Sequence, residues 1–147
     1  MKKKVQLSTV IKIKEHLEKL ILNSQEYISK YNETEMKIDK SLETIKLAED
    51  SLVIIKETIQ DANKLKHSDG KTNNYYIYRL SNLKSRKLFL QSIKTSDKSQ
   101  LSKEQIDKEI AEIDKEVNEI KVKLTEFNSK EISIELTDNL TQLGLNF

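Results

Sequence analysis

A chain of 147 residues with 26 basic and 24 acidic side chains has a formal net charge of only +2, which excludes a binder that works by bulk charge. With no cysteine there is no disulfide and no thiolate metal site, and with no proline, two glycines and 34% charged residues the composition points to long helices rather than sheets and turns. Apolar residues make up 36% of the chain, with five tyrosines, three phenylalanines and no tryptophan, so the expected single helical domain over residues 1–147 has an aliphatic core.

The opening Met1-Lys2-Lys3-Lys4 imitates the charged start of a signal peptide, but Lys12, Lys14 and Glu15 interrupt the following apolar run too early for an h-region. The expected compartment is the cytoplasm. A first helix over about residues 8–31 begins near Ser8 or Thr9 and places Val10, Ile13, Leu17, Leu20, Tyr27 and Tyr31 on one face, widened by Ile11, Ile21 and Ile28. A polar run follows, and Asp39 or Ser41 is placed to cap a second helix over about 40–66 that carries Leu42, Ile45, Leu52, Ile55, Ile59 and Ala62. Tyr31, Thr34, Ile38, Ser41 and Ile45 keep the 3-4 alternation across the polar run, so one continuous helix of roughly 85 Å is an open alternative.

The clearest break is His67-Ser68-Asp69-Gly70-Lys71-Thr72. Gly70 suits a left-handed helix exit, Asp69-Gly70 is a turn dipeptide, and Thr72 or Asn73 can cap the next helix, over about 73–94. That third helix is expected to turn Tyr76, Ile77, Leu80, Leu83, Leu90 and Ile93 inward. Thr95–Gln100 is a polar connection of the length that joins antiparallel helices.

The fourth helix, over about 102–128, is the most strongly written. Ile106, Ile110, Ile113, Val117, Ile120, Leu124 and Phe127 fall in an unbroken 4-3 spacing and form a seam that must be covered, either as core or by a second chain. Ser102 and Gln105 have capping-box spacing, and Leu101 with Ile106 has that of a hydrophobic staple. In the tail over 129–147, Ile132, Ile134 and Leu136 alternate with polar residues, which suits a short extended segment, although a continuing helix is open and the strand is the less favoured of the two; Leu140, Leu143, Leu145 and Phe147 end it. The fold class is therefore all-α: an antiparallel four-helix bundle or paired long helical hairpins with coiled-coil-like seams, and room for a short extended C-terminal segment.

Asp69-Gly70-Lys71-Thr72, followed by Ile77, Leu83, Lys84, Arg86 and Leu90 and by a long final helix ending in Glu126-Phe127-Asn128, resembles the septicolysin-like family of short bacterial and phage-borne helical proteins. In that family an Asp-Gly-Arg/Lys-Thr turn opens a basic helix and the last long helix ends in an Asn-Trp pair; here Ser129 stands where the tryptophan would. The resemblance implies separate first and second helices and lends no activity.

Catalytic and metal chemistry find little to work with. His16 and His67 have no further His or Cys near them in sequence, Ser68-Asp69-Gly70 lacks the ligand spacing of an EF-hand, and no Gly-rich phosphate loop exists. His67-Ser68-Asp69 names the residue types of a hydrolase triad, but neighbours on one turn cannot align base, nucleophile and orienter. The expectation is a protein that is not an enzyme and carries no metal or cofactor.

Charge is distributed unevenly. Between Gly70 and Ser96 there is no acidic residue against Lys71, Arg79, Lys84, Arg86, Lys87 and Lys94, while Lys103–Glu119 holds seven acids and three lysines. The preferred functional reading is a scaffold that self-associates or binds a protein partner through its apolar seams. A nucleic-acid module is the alternative, with Arg79, Lys84, Arg86 and Lys87 neutralising phosphates beside Tyr75, Tyr76 and Tyr78, unless the acids of the fourth helix neutralise these cations first. A membrane-active, lysin-like bundle that opens on lipid is the remaining alternative, and membrane is the least favoured partner.

Overall fold

Helical periodicity in the sequence becomes helix wherever a polar run or the Asp69-Gly70 turn does not interrupt it. In the computed structural model of the protein, which describes residues 1–145, the elements are β1 (Lys2–Gln6), α1 (Leu7–Tyr31), α2 (Asp39–Asn63), α3 (Asn73–Ser92), α4 (Lys103–Asn128), β2 (Glu131–Glu135) and α5 (Asp138–Gln142). The fold is all-α apart from one two-stranded sheet. Among the described residues no helix is long and apolar enough to cross a membrane. Two compact units are present: residues 1–62 with 128–145, and residues 63–127.

In the first unit, α1 and α2 are separate helices. The Thr34 hydroxyl donates to the Tyr31 carbonyl at 2.7 Å and accepts the Met36 N–H at 3.1 Å, so the polar run folds into a turn and the continuous 85 Å rod is excluded. The expected cap at Ser8 or Thr9 is corrected. β1 runs straight into α1, whose N-cap is the extended Gln6 without a side-chain bond, and the Leu7 N–H donates to the Lys130 carbonyl at 2.9 Å. A backbone carbonyl thus takes a donor at the start of the helix, and the helix begins before either hydroxyl could cap it. Asp39 lies in the first turn of α2, where its charge favours the helix dipole.

Val10, Ile13, Leu17, Ala48, Ile55, Ile134 and Leu140 form the buried core of this unit, with Val5, Leu20, Ile21, Leu52 and Ile59 packed against it. Leu42 is 43% exposed, against expectation; the buried line of α2 runs instead through the small residues Ala48 and Ser51 to Ile55 and Ala62. The extended alternative for the tail is the one adopted. β2 pairs antiparallel with β1, Lys2 opposite Glu135 and Val5 opposite Ile132, and this period-2 geometry turns Ile134 into the core. Thr137 then caps α5 by accepting the Leu140 N–H at 3.4 Å, and Leu140 is fully buried with Leu143 and Leu145 beside it. The expected role of Phe147 lies outside the described residues.

The second unit is the pair α3 and α4. Its core consists of Tyr76, Leu83, Leu90, Ile106, Ile113, Val117 and Ile120, supported by Leu80, Ile93, Ile110 and Leu124, and Phe127 is buried as well. The seven-residue seam of α4 is therefore spent inside the chain. Each fully buried member contributes roughly 1.5–3 kcal/mol. At the start of α4 the capping box is complete: the Ser102 N–H donates to Gln105 Oε1 at 2.9 Å and the Gln105 N–H to Ser102 Oγ at 3.1 Å. Leu101, the other half of the expected staple, is left half-exposed. Ile77, expected inward, sits at the edge of the interface and is partly exposed, because it lies about 100° around the helix from Tyr76.

Candidate functional site

The turn between α2 and α3 is built residue by residue from its own side chains. Gly70 adopts φ +83°, and the His67 N–H donates to the Lys71 carbonyl at 2.8 Å. Asp69 Oδ1 accepts the Lys71 N–H at 3.0 Å, closing an Asx turn, and Thr72 Oγ1 accepts the Tyr75 N–H at 3.1 Å, capping α3. Asp69, Gly70 and Thr72 each have a structural task.

Asp69 also reaches across to α4. Its Oδ2 accepts the Tyr76 hydroxyl hydrogen bond and one from Lys123 Nζ at 3.1 Å, and Lys123 in turn lies 2.9 Å from the Tyr76 hydroxyl and 4.6 Å from the centre of its ring. The Tyr76 hydroxyl, then the Lys71 amide, with Lys123 adding, hold the Asp69 carboxyl well below the usual carboxylate range. The Tyr76 hydroxyl and Asp69 raise the Lys123 ammonium in return. Behind this contact, His67 Nε2 meets Asn73 Oδ1 at 2.8 Å while the Asn73 amide donates to Asn63 Oδ1 at 2.9 Å. Since Asn73 Oδ1 only accepts, His67 Nε2 carries the proton. The ring of His67 stacks on Phe127 with centroids 5.0 Å apart. His67 and Asp69 thus serve different partners and form no catalytic relay.

Further along, Arg79 grips Glu116 with two bonds, Nε to Oε1 at 2.8 Å and Nη2 to Oε2 at 3.1 Å, and Lys87 reaches Asp114 at 2.6 Å. Arg79 holds the Glu116 carboxyl below its ordinary value. A cleft of about 220 Å³ lies beside these pairs, where Lys71, Arg79 and Lys123 meet Asp69, Glu116 and Glu119. Its lining carries three cations and three carboxylates, so its formal charge is balanced. Among the described residues no group of three His, Asp or Glu is placed to hold a metal.

The four cations singled out for nucleic acid are therefore not brought together. Arg79 and Lys87 are engaged by α4, whereas Lys84 and Arg86 are exposed. Two residues apart on a helix, Lys84 and Arg86 point about 200° away from each other. Tyr76 is buried, whereas Tyr78 is exposed and Tyr75 is 42% exposed with Lys71 4.6 Å from the centre of its ring.

What the sequence reading missed is the outer face of α3. Tyr78, Leu88 and Phe89 are 66%, 69% and 63% exposed, and they share the side opposite Tyr76, Leu83 and Leu90 with Ser81, Ser85 and Ser92. This arc spans about 200°, carries no charge, and is bounded by Lys84 on one flank and Arg86 on the other. The signal was present in Leu88-Phe89-Leu90: three adjacent apolar residues on a helix cannot all face one core. Comparison of the chain with protein-family models, with curated proteins and with solved structures finds no match.

Proposed function

We propose that this protein is a non-enzymatic helical scaffold that docks a helical segment of a protein partner on the outer face of α3. One observation carries the reading: a 20-residue helix that is already buried on one side keeps Tyr78, Leu88 and Phe89 exposed on the other, with no charge between them. A surface helix with no partner is normally polar on that side. Partner binding through an apolar helix face uses anchors three to four residues apart over two or three turns, which is how Tyr78, Ser81, Ser85 and Leu88 with Phe89 are spaced. The cations that favoured a nucleic-acid partner are half consumed by Glu116 and Asp114, which lowers that alternative.

Selection of helical peptides from a surface-randomised library on the full chain, with Leu88→Ser/Phe89→Ser as counter-target, tests the reading. Peptides that bind the protein and are released by the double variant are expected. A library in which no binder depends on Leu88 and Phe89 would overturn it.

A further inference from the structure

The proposed docking face has a shape and a charge frame that specify its occupant. The short polar side chains Ser81, Asn82 and Ser85 lie between Tyr78 at one end and Leu88 with Phe89 at the other. A partner backbone can approach closely over small side chains, while a bilayer gains little from hydroxyls in the middle of an apolar stripe. Lys84 and Arg86 are exposed along the two flanks, and neither is held by an α4 carboxylate as Arg79 and Lys87 are, although Arg86 lies near enough to Glu116 to help lower that carboxyl. No acid occurs from Gly70 to Ser96 to answer them from within α3. A second copy is a poor fit: another α3 laid antiparallel about Ser85 keeps each flank on its own side, so Lys84 meets Lys84 of the copy and Arg86 meets Arg86, like charges facing.

Resting on the docking reading above, we infer that the outer face of α3 receives an amphipathic partner helix with acidic flanks. Its apolar stripe seats on Tyr78, Leu88 and Phe89, and its carboxylates meet Lys84 on one side and Arg86 on the other. The apolar contact supplies affinity; the two flanking pairs supply orientation and choice of partner.

Two labelled helical peptides with one shared apolar stripe, flanked by Glu in one and by Lys in the other, are titrated with the full chain by fluorescence anisotropy. The Glu peptide is expected to bind about tenfold more tightly or better, the size that two partly exposed charge pairs provide between attraction and repulsion, and the gap should narrow as salt rises. Lys84→Glu/Arg86→Glu should reverse the preference, whereas the same reversal at the exposed Lys12 and Lys19 of α1 should leave it in place. Leu88→Ser/Phe89→Ser, checked for intact helicity, should lose both peptides. Equal binding of the two peptides that still needs Leu88 and Phe89 would overturn the acidic partner and leave the docking face standing. Three results would overturn both: peptide binding indifferent to Leu88 and Phe89 together with an empty library selection; sedimentation showing self-association that the double variant abolishes, which makes a second copy the occupant; and binding to anionic phosphatidylserine vesicles, but to neither peptide, through this face.

Discussion

The two units hold a pair of long helices together by different means. In the first, α1 and α2 meet over an aliphatic core that a two-stranded sheet and α5 plug from the side, and the ion pair between the helices, Lys56 with Glu18, is long at 3.6 Å and exposed. In the second, the helices have no third element of their own to cover them, and three polar contacts run along the seam: Asp69 and Tyr76 with Lys123, Arg79 with Glu116, Lys87 with Asp114. The partners on α4 fall in number as those on α3 rise, so the contacts also fix the antiparallel direction. Geometry rather than net strength is what such pairs contribute, since half-exposed ion pairs stabilise little, and a helix pair pinned at its edges leaves its outer faces open.

The comparison breaks first at the cores. Leu17→Ala in the first unit and Ile113→Ala in the second should each cost about 2–5 kcal/mol, because both side chains are fully buried. Amide exchange should show the loss of protection concentrated in the unit that carries the substitution; uniform loss across the chain would mean that the two units are one cooperative body.

A smaller effect sharpens the role of the turn. Gly70→Ala meets open space, so its whole cost is the left-handed backbone at φ +83°, about 1–2 kcal/mol in urea unfolding. Ser102→Ala should remove about 1 kcal/mol by opening the capping box at the start of α4. Loss of the hydroxyl in Tyr76→Phe should cost about 1 kcal/mol near neutral pH.

The Tyr76 variant also carries a pH signature. Asp69 and Glu116 are held below their ordinary range in the folded state, so each adds stability above the unfolded carboxylate value, about pH 4, that is lost as pH falls toward the lower folded value. Acid titration followed by helicity should therefore weaken the α3–α4 unit below about pH 4, and Tyr76→Phe should flatten that dependence by releasing Asp69. An unchanged acid limb would show that the hydroxyl does not hold the carboxylate.

Much of this fold was legible before any coordinates. The 4-3 spacing from Ile106 to Phe127, the Ser102–Gln105 box and the Asp69-Gly70 turn are local patterns, and local patterns survive folding because they depend on neighbours three or four residues away. The sheet was half legible: Ile132 and Ile134 alternate, but their partner strand is hidden under Lys2, Lys3 and Lys4, where only Val5 hints at a buried side. Ala48 and Ser51 were not legible as core because small residues carry little hydrophobic signal, although both are buried in α2. The contact of Asp69 with Lys123 spans 54 residues and has no sequence period at all. The outer face of α3 escaped notice for another reason: its residues follow no single helical stripe, so Leu88 and Phe89 were assigned to neither side and Tyr78 was read only as a stacking ring beside the cations.

The central claim is that α3 has two apolar sides and that only the inner one holds the chain together. Equilibrium urea unfolding of Leu88→Ser/Phe89→Ser tests this directly. Stability within about 0.5 kcal/mol of the parent is predicted, as for exposed surface substitutions, whereas a loss of about 2 kcal/mol or more would place Leu88 and Phe89 in the core and leave no face for a partner.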